Sequence, residues 1–170
     1  MPANPLKTID DDVYAQLSDY TKLTTLLDGG SADIDQLDRV VDVREIGERT
    51  DSRSRIYVVP SDIDPDLNDT PETAMFWVSY DIGWYTGNFD KSLYRQIQFN
   101  VFRTLLLMRR FLKADGLTVL ASPSPFRYEK FRISRTRVRR DPDDMPDNFH
   151  DLWTLRIQIA GDTAEIESAV

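Results

Sequence analysis

MFWVSYDIGWY, residues 75–85, is the stretch that decides the fold. Its side chains alternate, with Phe76, Val78, Tyr80, Ile82 and Trp84 on one side and Trp77, Ser79, Asp81 and Tyr85 on the other. A period of two is that of a β-strand, and the wholly apolar side places this strand at the centre of a sheet. Working outward, Thr86, Gly87 and Asn88 make a turn, and Asp90 or Ser92 can cap a helix that runs to about Ala114 and stops at Gly116. Upstream, residues 61–72 hold Asp, Asn and two prolines and read as a surface loop. Before it, residues 56–59 form a short strand ended by Pro60, residues 47–54 a turn, and the Val-rich residues 39–46 another strand. Asp10, Asp11 and Asp12 precede a helical pattern of Val13, Leu17, Tyr20 and Leu23 or Thr24, which Gly29 and Gly30 stop.

Beyond the second helix, residues 117–121 begin a strand interrupted by Pro123 and Pro125, and residues 126–140 continue as extended chain. Residues 141–147 form a proline-containing loop, and residues 152–159 alternate as a closing strand, with Trp153, Leu155, Ile157 and Ile159 on its apolar side. The order α-β-β-β-α-β-β-β predicts an α+β fold: an antiparallel or mixed sheet of about five or six strands with two main helices packed on it. A single domain over residues 1–170 is expected, with 1–9 and 163–170 as flexible tails.

Composition narrows the function. Cysteine is absent, which excludes disulfides, thiol catalysis and cysteine metal sites. No apolar run approaches the ~20 residues that span a bilayer, and the N-terminus lacks the apolar segment of a secretory signal, so a soluble chain with no membrane partner is expected. The chain has 23 Asp against 6 Glu and 16 Arg against 5 Lys. Such a bias resembles proteins of high-salt cytoplasm, a haloarchaeon or one of its viruses; a high-GC genome favouring Arg and Asp codons is the other explanation. Residues 91–140 carry thirteen basic and two acidic side chains, a net +11, which leaves −19 on the rest of a chain whose net charge is −8. A segment so basic calls for an anionic surface, whether a neighbouring subunit or nucleic acid.

Catalytic patterns are missing. The single histidine, His150, has no nucleophile near it in sequence, and no phosphate-binding glycine loop, nucleophile elbow or zinc-binding helix motif occurs. Asp62, Asp64 and Asp66 match the first ligand positions of a calcium loop, but Leu67 stands where the loop needs glycine and Thr73 where it needs a bidentate glutamate. No catalytic residue, metal or cofactor is therefore expected, although a carboxylate-bound divalent metal in that loop stays an open alternative.

Two features exceed the needs of one core. On a helical wheel Leu93, Tyr94, Ile97, Val101, Leu105, Leu107, Met108, Phe111 and Leu112 share the broad face expected to be buried. Phe99, Phe102 and Leu106 lie roughly opposite, among Lys91, Arg95, Arg103, Arg109, Arg110 and Lys113, and make a candidate subunit interface with Arg95, Arg103 and Arg110; a loop or the first helix folded over them is the competing explanation. In residues 132–140, alternation puts Arg135, Arg137 and Arg139 in a row spaced ~7 Å apart. That row suits a partner's carboxylates or the phosphates of DNA in a channel, unless it only protects an edge strand from aggregation.

An N-terminal helix, a strand Arg55-Ile56-Tyr57-Val58-Val59-Pro60, a central strand over 76–85, a long helix over 93–112 and trailing strands resemble, in this order, the tail terminator family of tailed viruses. The resemblance implies a small α+β subunit without catalysis that assembles with itself into a homohexameric ring. It also implies a location in the virion at the head–tail interface after assembly in the host cytoplasm. The implied partners are the tail tube protein, a head-completion or connector protein, and genomic DNA passing through the lumen without sequence specificity. A nucleic-acid-binding or regulatory module using the basic 91–140 surface is the alternative, and a pI near 4.6 for the whole chain weighs against it.

Overall fold

A computed structural model describes residues 4–36, 54–65, 72–86, 90–136 and 149–168, and these described residues form five strands and four α-helices. The alternating stretch is strand β3, Thr73–Thr86, paired antiparallel on one side with β2, Arg55–Pro65, and on the other with β5, Phe149–Asp162. The short β1, Ile34–Gln36, runs parallel to β2, and β4, Phe126–Thr136, runs antiparallel to β5. The sheet order is β1-β2-β3-β5-β4, so it is mixed and β3 is its centre, as the alternation requires.

One face of the sheet carries the core. Val78, Tyr80, Ile82 and Trp84 of β3 join Ile56 and Val58 of β2, and Leu155, Ile157 and Ile159 of β5, in one buried cluster. Over them lie helix α1, Pro5–Ser18, through Ile9, Val13 and Leu17, and the helix Lys91–Arg109, here α3, through Ile97, Val101, Leu105 and Met108. These seven helix positions fall at the i, i+3 and i, i+4 spacings of an amphipathic helix, and each fully buried side chain contributes about 1.5–3 kcal/mol. A short helix α2, Thr21–Thr24, follows α1 and buries Leu23. On the opposite face Tyr57 lies across its register partner Gly83, where an added Cβ would come within 2.0 Å of the ring; only glycine leaves room for it.

Several expectations need correction. Helix α1 starts at Pro5 under an Asn4 cap whose Oδ1 accepts from the Leu6 amide at 3.1 Å, so residues 5–9 are helix rather than tail and Asp10–Asp12 lie within it, not at its start. Residues 163–168 likewise form a final helix, α4, Thr163–Ser168. Helix α3 begins under Asp90, whose Oδ1 accepts from the Leu93 amide at 2.8 Å, but it ends at Arg109 instead of about Ala114. Phe111 takes a left-handed φ of 59° while the Leu112 and Phe111 amides reach back to the Leu107 and Met108 carbonyls, each at 2.9 Å, the double bond of a Schellman stop. Residues 117–121 contribute only a bridge, Leu112 to Val119, because Asp115 ties a turn there: its carboxylate accepts from the Thr118 hydroxyl and from the Thr118 and Leu117 amides, which pulls its pKa down to about 2. Strand β2 does not end at Pro60 but continues to Pro65 past an irregularity between Pro60 and Ile63. The strand expected at 39–46 and the loop at 141–147 lie outside the described residues.

Candidate interaction surface

Helix α3 presents two sides. Asp90 caps it and its inner side is held by the core, so Lys91, Arg95, Phe99, Arg103 and Arg110 are turned outward and exposed. Phe99 is 58% exposed, which is a large apolar area for a residue on a helix. The Arg103 guanidinium stands 5.6 Å from its ring centre, a cation–π contact within the same turn. An open groove along the first turns of α3 is lined by Lys91, Ser92, Arg95, Gln96, Phe99 and Asn100, none of them acidic.

Phe102 and Leu106 are less outward than the helical wheel implies. Both are half-buried, and the Phe102 ring meets Trp153 of β5 edge to face, with centres 5.4 Å apart. Trp153 in turn meets Trp84 edge to face at 5.3 Å, so Phe102 extends the chain's own aromatic core. The wheel missed this because it counts only directions around the helix. The bulky indole of Trp153, packed against the core from β5, reaches the side of α3 that carries Phe102.

Arg135 is exposed on β4 and is the register partner of Trp153. Directly opposed residues share a face, so the structure brings Arg135 to the same side as Phe102. Arg137 and Arg139 lie outside the described residues. β4 has one strand neighbour, β5, and occupies the edge of the described sheet.

A second cationic arrangement sits on the other face and was not anticipated. Arg132 and Arg156 are register partners, and their guanidinium carbons lie 4.9 Å and 5.0 Å from the Trp77 ring centre. Arg156 also pairs with Asp64 at 3.3 Å, which offsets the like charge beside it. Its signal in sequence was the polar side of the closing strand, which carries Arg156 next to Gln158, the register partner of Trp77.

The aspartates of α1 have a structural use. Tyr80 donates to Asp10 and Tyr128 to Asp12, each at 2.7 Å, joining α1 to β3 and β4. Burial raises the pKa of both carboxyls, against the lowering effect of those hydrogen bonds, and burial with the facing carboxylates raises both phenols further. Asp62 and Asp64 belong to β2, and the backbone of His150 belongs to β5 opposite Tyr85. Among the described residues no group of three or more acidic or histidine side chains is placed to hold a metal, and no helix is long and apolar enough to cross a membrane.

No protein-family model and no curated protein matches the chain. Among solved structures it is similar to the sheath/tube terminator of an extracellular contractile injection system, PVC, in the extended state. That likeness has a TM-score of 0.48 and 10% identity over 94% of this chain, which spans 58% of the other chain's length.

Proposed function

We propose that the chain is a structural virion subunit, a tail terminator that forms a homohexameric ring, caps the tail tube and joins it to the head or its connector. The observation that carries this reading is Phe99, 58% exposed in a groove lined with Lys91 and Arg95 and covered by Arg103, on a chain otherwise strongly acidic. An apolar residue rimmed by cations fits an acidic protein surface with an apolar centre, and a second copy supplies acidic surface in abundance. Element order and the exposed cationic strand β4 support the same role. In the ring, Arg95, Arg103 and Arg110 face the neighbouring subunit. Arg135 also pairs with that neighbour's carboxylates rather than lining the DNA path, since a strongly basic lumen would retard sliding DNA. The subunit performs no catalysis and binds DNA without reading its sequence.

Mass measurement of the purified chain in high salt tests the reading. A six-subunit species is expected; a monomer that retards DNA in a gel would replace the ring with a nucleic-acid-binding module.

A further inference from the structure

A surface complementary to the Phe99 groove is present on the same chain. At the far end of β2, Ile63 is 58% exposed between Asp62 and Asp64, both exposed. Ile63 pairs with Val78, a core-facing residue, and so lies on the helix-bearing side of the sheet, past the cover of the helices. The groove lies further along β3, toward its C-terminal end: Tyr94, five residues before Phe99 on α3, meets Trp84 at 6.3 Å, and Phe102 reaches Trp153, the partner of Ile82. Val78 and Trp84 are separated by about 20 Å at ~3.3 Å per residue of strand.

We infer that the Asp62-Ile63-Asp64 tip of one copy seats on the Phe99 groove of the next, with Ile63 against the Phe99 ring and Asp62 facing Lys91 and Arg95. This rests on the ring reading and names the two surfaces that would build it. The patches are complementary in three respects. Each has one exposed apolar residue at its centre, the flanking charges are opposite, and one is a strand end while the other is a groove. Because they are different patches set apart on one subunit, the contact is heterologous, the type that repeats around a ring. Asp64, the register partner of Trp77, turns to the other face and is held there by Arg156, so Asp62, in the irregularity before Ile63, carries the new pairing.

The full-length chain tests this by sedimentation of three variants. Ile63→Arg and Phe99→Glu are each expected to abolish assembly while leaving the thermal melt of the monomer in place. Mixed together, the two mutants retain one intact groove and one intact tip, so a 1:1 heterodimer and nothing larger is expected. Asp62→Lys, a fully polar exchange at an exposed position, is expected to weaken assembly about tenfold, and more at low salt than at high. An assembly that survives Ile63→Arg and Asp62→Lys but is lost with Phe99→Glu overturns the tip and keeps the ring. Failure of the mixed mutants to associate also overturns it. A wild-type chain that stays monomeric overturns both readings.

Discussion

Gln16 and Thr104, 88 residues apart in the chain, bond each other twice in the interior. The Gln16 amide donates to the Thr104 carbonyl at 2.9 Å, and the Thr104 hydroxyl donates to the Gln16 carbonyl at 2.6 Å. Gln16 lies in the last turn of α1, where carbonyls have no partner within the helix, and Thr104 supplies one. Gln16 also reaches the Leu112 carbonyl at 3.3 Å, just past the stop of α3. The two helices are therefore fixed in register by polar groups set in an apolar layer. Thr104→Val keeps the shape but strands a buried carbonyl, and it is expected to cost about 1–3 kcal/mol. Urea unfolding should show a lower midpoint with an unchanged slope; an unchanged midpoint would mean water satisfies the carbonyl.

The Asp10–Tyr80 and Asp12–Tyr128 pairs predict how stability responds to pH. Burial raises both carboxyl pKa values above the ordinary 3.8. Between the unfolded and folded pKa values the folded chain holds protons that the unfolded chain has released. These two groups therefore lower stability as pH rises through that window, and their cost is fully present above it. Asp12→Asn keeps an acceptor for Tyr128 and removes the charge. The variant is expected to gain stability relative to wild type at neutral pH and to lose that advantage toward about pH 4, read from urea midpoints at both pH values. A difference independent of pH would contradict the role of burial.

Salt dependence follows from composition. With 23 aspartates and a net charge of −8, the chain repels itself at low ionic strength, and exposed pairs such as Lys7–Asp11 return little. Raising KCl from ~0.1 M to ~2 M shortens the screening length from about 10 Å to about 2 Å and should raise the melting temperature. Equal melting temperatures would show that the aspartate surplus has no bearing on stability.

The fold was legible wherever burial imposed a period. The alternation in residues 75–85 gave β3, its central place and its core face, and the apolar spacing of Ile97, Val101, Leu105 and Met108 gave the inner side of α3. What escaped the sequence depended on contacts distant in the chain. Phe111 stops α3 in a conformation that usually needs glycine, while its ring packs edge to face on Phe131 at 5.4 Å. β1 is three residues long, too short to show a period, and exists through its pairing with β2. The aspartates of α1 resembled an N-terminal cap because the tyrosines that bind them, Tyr80 and Tyr128, lie 70 and 116 residues away. The interaction surface was half visible: the charges on α3 could be read, but the division of its aromatic residues by Trp153 could not.

That division supplies the last prediction, in which Phe99 and Phe102 respond differently to the same truncation. Phe102→Ala removes an edge-to-face contact with Trp153, worth about 0.5–1.5 kcal/mol, together with part of the ring's burial. The folded monomer is therefore expected to lose about 1–3 kcal/mol. Phe99 is mostly exposed and touches Arg103 of its own helix, so Phe99→Ala is expected to change monomer stability by less than about 0.5 kcal/mol. Assembly should show the reverse order, because Phe99 is the ring available to a partner. Urea unfolding of the monomer and sedimentation of the assembly, run on both variants, separate the two effects. If Phe102→Ala weakened assembly without lowering the unfolding midpoint, Phe102 would be a partner contact like Phe99, and its packing on Trp153 would have little weight in the monomer.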